Sequence, residues 1–187
     1  MKRQLNNKGI GKITALLCIC LLVTLVFCSC GGDMTDESVR LELERLLPQS
    51  YELNDIFWGK GLPYVDDEES VNRYLPVTED CPYKDIDSIL AKTAEVFSEE
   101  YVAIVKDAVF TDSDDIDPRY IMVDGKLLAD KNNEGFNIVG NIVIESAVIK
   151  KQNRGMVVVS ADYEDGGKTE LTLVLRDGKW YLNSSTY

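Results

Sequence analysis

The 187-residue chain contains no histidine. That absence excludes a Ser-His-Asp triad, a Cys-His nucleophile pair and any His-ligated metal site. Cysteine is scarce where it would matter. Of five cysteines, Cys18, Cys20, Cys28 and Cys30 fall in an apolar N-terminal run, and only Cys81 lies beyond it. One thiol cannot close an intrachain disulfide or build a cysteine zinc site, so the rest of the chain must stand on its hydrophobic core. Cys81 sits in Glu79-Asp80-Cys81-Pro82, the opposite of the basic setting that a reactive thiolate needs, and reads as a bystander. Basic residues are also in the minority, 20 Lys and Arg against 32 Asp and Glu, for a formal net charge of −12. A chain of this sign lacks the basic footprint of a phosphate-backbone binder, so nucleic acid is not an expected partner. There is no Walker loop, no Gly-x-Gly-x-x-Gly, no Gly-x-Ser-x-Gly elbow and no Ser-x-x-Lys pair. No cofactor is expected.

What is present begins with a targeting segment. Lys2, Arg3, Lys8 and Lys12 precede an unbroken low-polarity run of 18 residues, Ile13 to Cys30. A basic start, an apolar run and small residues at its end read as a secretory signal. The closing residues Phe27-Cys28-Ser29-Cys30-Gly31-Gly32 resemble a lipobox, the processing site of bacterial lipoproteins, with Phe27 and Cys28 where that motif more often has Leu and a small residue. The resemblance implies cleavage before Cys30 and a diacylglyceryl thioether on Cys30, which anchors the chain in a membrane. The same run also reads as an uncleaved anchor, since it reaches spanning length. Both readings place the remainder outside the cytoplasmic membrane, with the lysines inside and the acids beyond. The expected organisation is a signal over 1–29, an acidic tether over 30–37 and one domain over 38–187. The 158 residues from Cys30 carry 16 Lys and Arg against all 32 acids, a size that buries about 70% of its unfolded surface.

The domain divides into a helical part, 38–110, and a strand part, 119–187. Val39, Leu43, Leu46, Leu47, Tyr51, Leu53, Ile56 and Phe57 follow helical spacing, interrupted or restarted at Pro48 and stopped near Gly59-Lys60-Gly61. Leu62 to Lys84 shows no period and predicts a long loop with a short strand near Asn72-Arg73-Tyr74-Leu75. Asp85 opens a second helix with Ile86, Ile89, Leu90, Ala94 and Phe97 on one stripe. Ser98-Glu99-Glu100 opens a third, with Tyr101, Ile104, Val105, Ala108 and Val109 inward. After Arg119 the period becomes two. Asp124-Gly125 suits a type I′ hairpin turn, and strands are expected over Ile138–Lys150, Gly155–Tyr163, Lys168–Arg176 and Lys179–Asn183. Consecutive hairpins predict one curved antiparallel meander under the helices, an α+β fold. Trp180, alternating with Leu182, is expected in the core.

Helices followed by strands ending Leu171-Thr172-Leu173-Val174-Leu175-Arg176-Asp177-Gly178-Lys179-Trp180-Tyr181-Leu182 resemble the NTF2/cystatin-like cone families. A narrower resemblance, to the IseA-type DL-endopeptidase inhibitors, rests on Arg73-Tyr74-Leu75, Phe97-Ser98-Glu99-Glu100-Tyr101, and Arg119-Tyr120-Ile121 with Asp124-Gly125-Lys126-Leu127. It implies a non-enzymatic envelope protein that blocks peptidoglycan-cleaving NlpC/p60 peptidases, and so a basic cell-wall hydrolase as partner. The lipid anchor and the acidic insert depart from the soluble inhibitors.

Candidate partner-binding residues are Asp66, Asp67, Glu68 and Glu69, which would steer a basic partner, together with Trp58 and Tyr64 among the loop aromatics Phe57, Tyr74 and Tyr83. The plain alternatives are a solvated loop and aromatics that roof the core. Asp130-Lys131-Asn132-Asn133-Glu134-Gly135 imitates half an EF-hand loop, but Asn141 replaces its closing Glu, so a polar connection is expected rather than a metal site. Asp112, Asp114, Asp115 and Asp117 form a second acidic stretch interrupted by Ile116 and Pro118. With 32 acids, no spacing selects a catalytic pair. A receptor for a small ligand or glycan held in the cone is the alternative function.

Overall fold

A long helix lies against one sheet and is fastened at its end to another. The computed structural model describes residues 33–65, 72–112, 117–133, 135–136 and 141–186. Residues 33–187 form one compact unit. The class is α+β, with three helices and two separate antiparallel sheets among the described residues.

Helix α1, Asp36–Phe57, starts on a capping box in which the Thr35 hydroxyl accepts from the Ser38 amide at 3.2 Å and the Ser38 hydroxyl returns to the Thr35 amide. It does not break at Pro48. Proline removes one backbone donor and costs a helix interior about 3 kcal/mol. Here Pro48 and Glu44, whose carbonyl loses its partner, both face solvent, where water can replace the bond. Meanwhile Leu43, Leu46, Leu47 and Leu53 are at most 1% exposed on the opposite face. Burial of that stripe on both sides of the proline outweighs the local penalty.

Strand β1 is Tyr74–Pro76. Helix α2, Ile86–Val96, opens on Asp85, whose carboxylate accepts from the Ser88 amide at 2.7 Å. Helix α3, Glu99–Phe110, opens on Ser98. Both are as the sequence implies at their starts, but their buried faces differ. In α2 the inward residues are Ile89, Thr93 and Val96, while Ala94 is exposed. Thr93 can be buried because its hydroxyl donates to the Ile89 carbonyl at 2.7 Å. In α3 only Tyr101, Val105 and Val109 are buried, a one-residue-wide stripe, and Ile104 and Ala108 face out. The junction between the two helices is bound to the last strand through the Ser98 amide on the Leu182 carbonyl, and Phe97 stacks on Tyr101.

The strands β2 (Tyr120–Val123), β3 (Lys126–Asp130), β4 (Ile142–Asn153), β5 (Met156–Tyr163), β6 (Lys168–Arg176) and β7 (Lys179–Leu182) do not make one meander. β4 to β7 do, in the order β4-β5-β6-β7, but the β2–β3 hairpin pairs instead with β1, in the order β1-β3-β2. The reason is edge occupancy: β3 is central, with Tyr74 opposite Asp130 on one side and Tyr120 opposite Ala129 on the other, so no edge of β3 remains for β4. The Asp124-Gly125 turn is of the expected type, at φ 49° and 74°, and Asp177 and Gly178 repeat it at 49° and 76°. β4 is described from Ile142, residues 138–140 of the expected strand lying outside the described residues, and it runs on to Asn153.

The inner face of the four-stranded sheet is filled by Val157, Val159, Ala161, Leu171, Leu173 and Leu182, all at most 1% exposed, against α1. Trp180 is only half-buried at the rim of this core. β7 is only four residues long, and the Trp180 carbonyl within it accepts from Arg45 Nη2 at 2.8 Å.

β4 is bulged between Val143 and Val148 and again between Ile149 and Lys151. β4 is also an edge strand of its sheet, and α1 bonds to its backbone. Asp36 accepts from the Ile149 amide at 2.8 Å, the Tyr51 hydroxyl accepts from the Ile142 amide at 2.9 Å, and Arg40 donates to the Ala147 carbonyl. Ser146 closes the first bulge internally, its hydroxyl accepting from the Asp162 amide at 2.8 Å and donating to the Val143 carbonyl.

The link between α1 and the three-stranded sheet is Tyr120, 0% exposed. Its hydroxyl donates to the Ile56 carbonyl at 2.8 Å and accepts from the Leu62 amide at 2.9 Å. Tyr120→Phe strands both buried groups and is expected to destabilise the fold by about 1–3 kcal/mol. Urea unfolding checks this as a lower midpoint at unchanged slope.

Candidate functional site

α1 ends against the strands with which it has no backbone pairing, and a cleft opens there. The last turn is closed by the Trp58 and Gly59 amides, both bonded to the Asn54 carbonyl. The chain then turns through Gly61 at φ 80°. A side chain at Gly61 would place its Cβ 2.7 Å from Arg119 Nη2 and 3.0 Å from the Tyr120 hydroxyl, so glycine is required both by the dihedral and by the approach. The resulting cleft, of about 400 Å³, is lined by Lys60, Leu62, Tyr64, Arg119, Asp130 and Lys131 among others.

Arg119 is 5% exposed. Its Nη2 donates to the Gly59 carbonyl at 2.5 Å and its Nη1 to the Asn133 side-chain oxygen at 2.8 Å. Asp130, also 5% exposed, is held by Arg73 at 2.7 Å and accepts from the Asn132 amide at 2.9 Å. Arg73 also pairs with Asp117 and lies over the ring of Tyr74, 5.6 Å from its centroid. The two carboxylates hold the Arg73 guanidinium firmly protonated. In the half EF-hand, Asp130 to Asn133 form a turn, the Asn133 amide donating to the Asp130 carbonyl at 3.2 Å. Its first acid is spent on Arg73, its Asn133 faces Arg119, and Glu134 lies outside the described residues. Asp117 belongs to the Arg73 pair, while Asp114 and Asp115 lie outside the described residues. Among those described, no group of three or more Cys, Asp or Glu is placed to hold a metal ion, and no helix is long and apolar enough to cross a membrane.

The expected aromatic group separates. Phe57 and Tyr83 are buried, whereas Trp58, Tyr64 and Tyr74 are half-buried. Phe57 packs edge-on against Trp58 and Phe110 with ring centroids 6.3 Å apart. Trp58 caps α1 and its carbonyl accepts from the Phe136 amide at 2.8 Å, so it braces the cleft without lining it. Tyr64 lines it. Tyr83 sits elsewhere, bonded to Glu52 at 3.2 Å. Cys81 is 3% exposed within the core. Cys30 and the segment Asp66, Asp67, Glu68 and Glu69 lie outside the described residues. What the sequence did not reveal is the convergence of Lys60, Arg119 and Lys131, which come from three separate segments and share no motif. Comparison with models of known protein families finds no match, and comparison with curated protein sequences finds none.

Burial, then the charge of Glu52 and the bond to it, push Tyr83 up to about 12 from an ordinary value of 10. The protonated phenol is thus favoured in the folded state. Its contribution to stability is fully present below pH 10, where neither state has ionised, and is lost as pH rises from 10 towards 12. Chemical denaturation across that range should show a decline that Tyr83→Phe reduces.

Proposed function

We propose that the chain is a non-enzymatic envelope protein, anchored by lipidated Cys30, whose acidic domain binds a basic partner and regulates a peptidoglycan DL-endopeptidase. The observation that carries the reading is how the acidic segment is rooted. Tyr64 and Val77 form an antiparallel bridge, the Val65 amide donates to the Pro76 carbonyl at 2.8 Å, and the Thr78 amide donates to the Pro63 carbonyl at 3.0 Å. On the return side, Tyr74–Pro76 is a strand paired to β3. The described residues on either side of Asp66 to Glu69 are thus paired to each other at one edge of a sheet. Fixed charge of one sign raises association rates with an oppositely charged surface. The excess of 32 acids over 20 bases and the lack of histidine support binding over catalysis. The alternative, a receptor for a small ligand or glycan, draws its support from the cleft around Arg119 rather than from the filled space between α1 and the four-stranded sheet.

The test mixes the full chain, in detergent, with a purified basic NlpC/p60 endopeptidase and follows binding and peptide cleavage. Binding and inhibition at about 0.05 M salt should weaken at about 0.5 M, where the screening length falls below 5 Å. Replacing Asp66, Asp67, Glu68 and Glu69 by their amides should lower the association rate about tenfold or more. No binding at low salt contradicts the reading.

A further inference from the structure

We infer that the β4–β5 turn, through Lys150, Lys151 and Arg154, is a contact surface for the anionic head groups of the membrane that holds the chain. The inference rests on the lipidation of Cys30 proposed above and names the orientation which that anchor imposes.

The chain enters the fold along the edge of β4. The Met34 amide donates to the Gln152 side-chain oxygen at 2.9 Å, and Asp36 accepts from the Ile149 amide at 2.8 Å. These two bonds straddle Lys150 and Lys151. Met34 is itself buried, so the entry is fixed against the strand. Met34 lies four residues after Cys30, and that length of chain spans at most about 14 Å. A lipid on Cys30 therefore keeps this end of the four-stranded sheet within about two screening lengths of the bilayer surface.

The bases at that end are concentrated. Lys150-Lys151-Gln152-Asn153-Arg154 is the only five-residue stretch beyond Cys30 with three bases and no acid. All three bases are exposed, and none forms an ion pair among the described residues. Lys151 lies opposite Val158, whose neighbours Val157 and Val159 are buried on the inner face. It therefore stands on the outer face of the sheet, with half-buried Met156 and Val158. The acids of the entry, Asp33, Asp36 and Glu37, lie with α1, which covers the inner face. Asp36 and Glu37 occupy its first turn, where the positive end of the helix offsets them. From Cys30 onward 16 bases face 32 acids, so an anionic membrane repels most of this chain. Each base held near such a surface strengthens attraction to it about fivefold. The densest basic stretch is thus placed where the anchor brings it within reach of the lipid.

The test uses the full chain as the cell processes it, inserted into vesicles of neutral phosphatidylcholine or of its mixture with anionic phosphatidylglycerol. Mass spectrometry first reads the lipid on Cys30. A polarity-sensitive dye is then placed on Asn153→Cys in the basic turn, or on Asp165→Cys in the turn at the opposite end of the sheet. Cys81 is buried and a lipidated Cys30 is capped, so the new thiol alone takes the dye. Emission from Asn153→Cys should shift to the blue in anionic relative to neutral vesicles, and the shift should vanish at about 0.5 M salt. Emission from Asp165→Cys should not shift. Replacing Lys150, Lys151 and Arg154 by Gln should lower the ratio of docked to undocked chain about a hundredfold, the product of three fivefold losses. The lipid and salt comparisons need no such variant and decide the matter if it folds poorly by thermal unfolding. Absence of lipid on Cys30 contradicts the anchor and the inference with it. With the lipid present, three results each overturn the inference alone: no shift, a shift equal in neutral and anionic vesicles, or one that appears equally at Asp165→Cys. No endopeptidase enters the test, so its outcome is independent of hydrolase binding.

Discussion

Two consecutive side chains, Arg119 and Tyr120, hold the end of α1 to a sheet that it does not otherwise join. The last carbonyls of a helix have no partner within it. Here the Ile56 carbonyl is taken by the Tyr120 hydroxyl and the Gly59 carbonyl by Arg119, while the Leu62 amide beyond the helix returns to the same hydroxyl. These bonds fix the path from Trp58 to Leu62, and that path forms one wall of the cleft. They also explain why Gly61 sits at φ 80°: the chain must turn sharply over a guanidinium with no room for a side chain.

The other end of the helix obeys the same logic with the roles exchanged. β4 is long, bulged and at the edge of its sheet, so some of its amides and carbonyls face no strand. Asp36, Arg40 and Tyr51 on α1 satisfy them. Unsatisfied buried backbone groups are costly, so the helix and the strand are bound by need as well as by packing. α1 thus serves as the common beam. One sheet is attached along its length through β4, and the other at its tip through Tyr120.

Much of the fold was legible because its signals are local. The caps Asp85 and Ser98, the Asp124-Gly125 turn and the alternation in Lys168–Arg176 each act within a few residues, and each is found where it was expected. Three things were not legible, for one reason: they depend on partners distant in the chain. The continuity of α1 through Pro48 comes from burial on both sides of the proline. The division into two sheets comes from β1 occupying the edge of β3. The burial of Thr93 in place of Ala94 comes from a bond to Ile89 and from the neighbours of α2. The candidate site follows the same rule. Tyr64 was visible as a loop aromatic, but Lys60, Arg119 and Lys131 lie in three segments that only the fold brings together.

The central claim is that the end of α1 is locked, so the cleft wall is formed before any ligand arrives. Native-state hydrogen exchange at the Leu62 amide tests it most directly. If the Tyr120 hydroxyl holds that amide, Leu62 exchanges as slowly as the Val159 amide in the centre of the four-stranded sheet, through global unfolding alone. Exchange of Leu62 at the rate of the exposed turn amide of Gly125 would contradict the account.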